Sequence, residues 1–120
     1  MDSISFEYQY TTESYVTFAI KVKSGEFSGV SNFCILESSL KAAILVLNEM
    51  LINLNGSYQI NDYDSDDFIY FEMKTLGHMT IMGQLGGSCN IPFLKFENCA
   101  DQTILAETIS IFNNMIRKRP

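Results

Sequence analysis

The chain has 120 residues, of which 47% are hydrophobic and 18% charged, and a formal net charge of −6. Length and composition fit a single globular domain over residues 1–120, not a disordered chain. With 8 basic residues against 14 acidic ones, the chain lacks the clustered Lys and Arg that displace counterions from phosphates, so no nucleic-acid partner is expected.

Residues 4–10 alternate Ile4, Phe6, Tyr8 and Tyr10 against Ser5, Glu7 and Gln9, the period of a half-buried strand. Residues 15–23 repeat it, with Val16, Phe18, Ile20 and Val22 on one face. Ser24, Gly25 and Glu26 read as a turn. Residues 27–36 predict a third strand, bent or bulged near Gly29. A helix follows over about residues 39–54, where Leu40, Ala43, Ile44, Leu47, Leu51 and Leu54 share one face. Ser38 or Ser39 is the expected cap and Gly56 the expected left-handed stop. Leu45 and Ile52 fall on the polar face of this helix.

Four short strands are expected next, over residues 57–61, 68–74, 78–85 and 91–97. The second is apolar on both faces, which suits a central strand. Turns are expected at Thr75-Leu76-Gly77 and Gly86-Gly87-Ser88, and Pro92 puts the fourth strand at an edge or a strand start. Inward positions there are Leu94 and Phe96. The last helix opens at Asp101, an N-cap ahead of Gln102-Thr103-Ile104, with Leu105, Ile109, Phe112 and Ile116 as its stripe. Arg117, Lys118 and Arg119 complement its dipole. The expected fold is α+β: an antiparallel sheet of about six or seven strands in the order βββ-α-ββββ-α, with two helices packed on one face.

Residues 1–10 are polar and alternating, without the basic start or apolar core of a secretion signal. The longest apolar run, residues 42–47, is too short to span a bilayer. Cys34, Cys89 and Cys99 are odd in number and form no C-x-x-C, so a reducing, cytoplasmic setting is expected.

No catalytic, cofactor-binding or metal-binding constellation emerges. Asp62-Tyr63-Asp64-Ser65-Asp66-Asp67 opens like a calcium loop, but Asp67 stands where the sharp turn needs Gly and Met73 where the bidentate Glu belongs. His78 is the single histidine, short of what a metal site or a base–nucleophile pair needs. Gly83-Gln84-Leu85-Gly86-Gly87-Ser88 lacks the Lys of a phosphate loop. What stands out is charge. Asp62, Asp64, Asp66 and Asp67, joined by Glu72, form the expected partner-binding patch, because four carboxylates in six residues repel one another and an acidic surface steers a basic protein partner. The bland reading is a well-solvated turn.

Several short elements align with a known family: Phe27-Ser28-Gly29, Leu54-Asn55-Gly56-Ser57, Gly77-His78, Gly83, Leu94-Lys95-Phe96 and Asp101-Gln102-Thr103-Ile104-Leu105. On these the chain resembles the immunity proteins of bacterial polymorphic toxin systems, in particular the WapI-like group, from about Tyr15 onward. The resemblance implies a small cytoplasmic binder that neutralises a cognate toxin domain, a nuclease among the candidate classes, without enzymatic activity or a cofactor. The matched residues shape turns and helix starts, so none is carried over as a toxin contact. The alternative is a small-ligand binding or sensory domain with an enclosed pocket lined by Phe18, Tyr70 and Met79. An enzyme would need carboxylates converging on His78.

Overall fold

Alternation every second residue becomes strand and the 3.6-residue stripes become helix, in the order expected. The structure is a computed structural model that describes residues 3–74, 77–86 and 94–118. Its elements are β1 (Ser3–Thr12), β2 (Tyr15–Ser24), β3 (Phe27–Leu36), α1 (Glu37–Asn53), β4 (Gly56–Asn61), β5 (Phe68–Lys74), β6 (His78–Leu85), β7 (Leu94–Asp101) and α2 (Gln102–Arg117). Thr75 and Leu76 of one expected turn, Gly87 and Ser88 of another, the strand start at Ile91 and Pro92, and Cys89 lie outside the described residues, as do the side chains of Leu94 and Phe96. Among the described residues no helix is long and apolar enough to cross a membrane.

All strand pairings are antiparallel. The strands divide into two sheets, β1-β2-β3 and β4-β5-β6-β7, where one was expected. The division falls where α1 separates β3 from β4. The inner faces of both sheets supply a single core: Phe6, Phe18, Ile20 and Phe33 from the first, Ile69, Phe71, Met79 and Ile81 from the second. Leu40, Leu47 and Met50 of α1 and Leu105, Phe112 and Met115 of α2 complete it. The Phe112 ring lies 5.2 Å from that of Phe6 and 5.9 Å from that of Phe18, joining α2 to the first sheet. Asn98 of β7 is buried, and its amide donates to the carbonyls of Ser3 and Lys23, at the ends of β1 and β2.

Three local features depart from expectation. The strand irregularity is not at Gly29, which pairs in register with Val22. It lies in β1, between Tyr8 and Tyr10. Phe6 and Tyr8 sit opposite the inward residues Ile20 and Phe18, whereas Tyr10 sits opposite Thr17. The bulge at Gln9 therefore turns Tyr10 to the outer face, where it is 55% exposed. Next, α1 begins at Glu37 and no side chain caps it. Ser14, in the β1–β2 turn, does that work from another element: its carbonyl accepts the Glu37 N–H at 2.7 Å. Finally, the left-handed residue that ends α1 is Leu54, at φ +50°, not Gly56. Gly56 has φ +122°, and a Cβ there would come within 3.0 Å of the Met50 side chain.

The start of α2 is as the sequence predicts. Asp101 is extended and its carboxylate accepts the Thr103 N–H at 2.9 Å. Asp101→Ala is expected to cost about 0.5–2 kcal/mol in denaturant melts. An unchanged midpoint would show that the exposed cap contributes nothing.

Candidate functional site

The loop between β4 and β5 carries the four aspartates, and the structure splits them into two pairs. Asp62 and Asp67 are buried, at 8% and 2% exposure. Asp64 and Asp66 are exposed. One oxygen of Asp62 accepts the Cys34 N–H of β3 at 2.8 Å and the other accepts the Ser65 hydroxyl at 2.6 Å. Asp67 accepts the Ser31 hydroxyl of β3 at 2.6 Å and the Gly86 N–H, just past β6, at 2.7 Å. The Asp62 N–H donates to the Asp67 carbonyl at 3.0 Å and closes the loop on itself. Two carboxylates expected to face a partner are therefore occupied in fastening the loop to β3 and to the end of β6. Backbone N–H and hydroxyl donors satisfy these acids, which is what lets them be buried.

Glu72 does not join them. It lies five residues beyond Asp67 along β5, about 16 Å at a strand's rise. There it pairs with Lys74 at 3.6 Å. His78 is exposed at the start of β6, opposite Lys74 and Asp101 in register. Among the described residues no three His, Cys, Asp or Glu side chains gather as a metal site. The three residues expected to line a ligand pocket do not meet: Phe18 and Met79 belong to the packed core, and Tyr70 points to the opposite face of β5 from the buried Ile69 and Phe71.

The feature that sequence reasoning missed lies beside the loop. The Tyr63 N–H donates to the Cys34 carbonyl at 2.9 Å, which lays the loop against β3. Its side chain, 67% exposed, reaches the outer face of the first sheet and meets Tyr15, ring centroids 5.2 Å apart. A cleft of about 390 Å³ opens there, lined by Tyr10, Tyr15, Tyr63, Thr17, Glu13 and Asp64, with Cys34 at its base. A hydrogen bond with Tyr63 and then burial hold the Tyr15 phenol above its ordinary value, and the nearby Asp64 charge acts the same way. Burial pushes the Cys34 thiol up as well, and the Asp64 and Asp62 charges add to it against a hydrogen bond with Thr17. Both groups are thus neutral at physiological pH. The cleft presents three phenols, a neutral thiol and two carboxyl groups.

Chemically the cleft sets aromatic faces and hydroxyls beside two carboxyl groups. Exposed tyrosines offer large rigid area at low entropic cost, and they are enriched among residues that carry binding energy. The signal was present in the sequence as Tyr10, Tyr15 and Tyr63, but the bulge and the loop that bring them together were not. Comparison with protein-family models, with curated proteins and with solved structures finds no match for this chain.

Proposed function

We propose that this protein is an immunity protein: it binds a cognate toxin domain in the cytoplasm of the producing cell and blocks it by occupying its surface, without catalysis. The observation that carries the reading is the tyrosine cleft, flanked by Glu13 and Asp64, next to an ordered acidic loop. The residue resemblance to the immunity group supports it, and so does the net charge of −6, which favours a toxin domain with a basic substrate groove. A native gel shift with the toxin domain encoded by the neighbouring gene tests it; no complex at micromolar concentration would overturn it.

Within that complex, Asp64 and Asp66 act on encounter. Asp64→Asn with Asp66→Asn is expected to keep the fold and slow association at low salt by roughly threefold or more. The difference should shrink as salt rises. An unaltered association rate would move the contact elsewhere. The solvent face of α1, where Leu45 is 67% and Ile52 80% exposed, is the next place to look.

A further inference from the structure

We infer that the cleft formed by Tyr10, Tyr15 and Tyr63 receives an arginine side chain from a protein partner, its guanidinium stacked on a tyrosine face and paired with Glu13 or Asp64. The inference rests on the proposed function for the partner being a protein, and on the cleft itself for the chemistry.

The platform is held ready by its own contacts. Tyr63 is 67% exposed, yet its backbone is fixed by the 2.9 Å bond to Cys34 and its ring by Tyr15. A side chain held open to water in one geometry loses little freedom on binding. Tyr10 faces the same cleft because a bulge breaks the alternation of β1, a device that re-aims a side chain.

A carboxyl group beside the phenols comes from Glu13. Glu13 and Ser14 form the two-residue turn between β1 and β2, with φ of +51° and +71°. That turn favours Asn-Gly, since both positions are left-handed. Glu-Ser is therefore a strained choice. The strain is held by the bond from Glu37 to the Ser14 carbonyl. What the strained choice gains is a carboxylate at the rim of the cleft. Among the described residues no ion pair engages Glu13 or Asp64.

This combination of ring and carboxyl group selects arginine. A tyrosine face attracts a cation, and a planar guanidinium stacks on it while its edge forks onto a carboxylate. An ammonium is a compact, strongly hydrated charge and cannot do both. Among the described residues the lining holds no Lys or Arg to compete for the site.

The test is an NMR titration of the ¹⁵N-labelled full chain with a tetra-arginine peptide, and separately with a tetra-lysine peptide. Amide shifts should centre on Tyr10, Glu13, Cys34, Tyr63 and Asp64. Tetra-arginine should bind at least about threefold tighter than tetra-lysine. Tyr63→Ala should weaken it about fivefold or more. Glu13→Gln and Tyr10→Ala, which leave the loop's backbone bonds in place, should weaken it without loss of spectral dispersion. Equal affinity for the two peptides, shifts centred elsewhere, or undiminished binding by folded Glu13→Gln and Tyr10→Ala would overturn the inference. The toxin domain separates the two ideas. If wild type does not bind it but tetra-arginine fills the cleft, the immunity reading falls and the site stands. If wild type and Tyr10→Ala bind it equally well, the reading stands and the site falls.

Discussion

Phe112→Ala is expected to remove about 3–5 kcal/mol of folding stability, the range for truncating a fully buried aromatic ring. The ring has 0% exposure and meets Phe6 and Phe18 at 5.2 and 5.9 Å. It is the point at which α2 closes over the first sheet, so its removal leaves a cavity lined by two other rings and bounded by strands that cannot shift into it. A domain of this size has about 5–15 kcal/mol in total. The loss should lower the melting midpoint by roughly 10–20 °C. Thermal and urea melts read it directly. Ile52→Ala, at an 80% exposed position, is the control and should stay within about 0.5 kcal/mol of wild type. A loss below about 1 kcal/mol for Phe112→Ala would mean that the core repacks around the gap.

Asp67→Ala is the second large effect, expected at about 2–4 kcal/mol. Hydrogen bonds to a charged group contribute about 1.5–3 kcal/mol each. Asp67 accepts one from the Ser31 hydroxyl and one from the Gly86 N–H. The desolvation of a carboxylate at 2% exposure offsets part of that sum. Alanine removes the acceptor from both donors, and the half-buried Ser31 hydroxyl and the exposed Gly86 N–H turn to water in its place. Asp67→Asn keeps an acceptor oxygen and should lose less. Asp66→Ala, one residue earlier and exposed, should fall within about 0.5 kcal/mol. The same residue type thus has opposite weight at adjacent positions, and urea melts of the three variants test that contrast. Equal effects of Asp66→Ala and Asp67→Ala would show that the loop is solvated throughout.

This contrast also marks the limit of what the sequence discloses. Strand and helix existence was legible because side-chain period is set locally: Val16, Phe18, Ile20 and Val22 can face one side only if the chain is extended. The Asp101 cap was legible for the same reason, since donor and acceptor are two residues apart. The acidic loop was legible as charge and illegible as structure. The distant partners that fasten Asp62 and Asp67 include Cys34, Ser31 and Gly86, separated from them by 28, 36 and 19 residues. In the sequence Asp62 and Asp64 are the same residue type within one polar run, so all four aspartates read as one patch. The start of α1 was misplaced by the same cause, because its cap is the Ser14 carbonyl from a distant turn. The cleft needed both the Gln9 bulge and the docking of Tyr63 on β3, and each is a tertiary event. The split into two sheets is likewise invisible in a pattern that reports facing and not neighbours.

The contact between the loop and β3 has one more consequence, for the behaviour of the chain in a crowd of its own copies. β3 is an outer strand of its sheet, so among the described residues one row of its backbone donors and acceptors has no strand beside it. Such a row is a template on which another chain can add a strand. Here the Cys34 N–H is taken by the Asp62 carboxylate and the Cys34 carbonyl by the Tyr63 N–H. Further along, the Asp67 carboxylate on Ser31 sets a negative charge against the same margin. The segment that carries Tyr63 into the cleft is therefore also the guard of an otherwise adhesive strand. Damage that lifts it would appear first as self-association of a chain whose core is still intact.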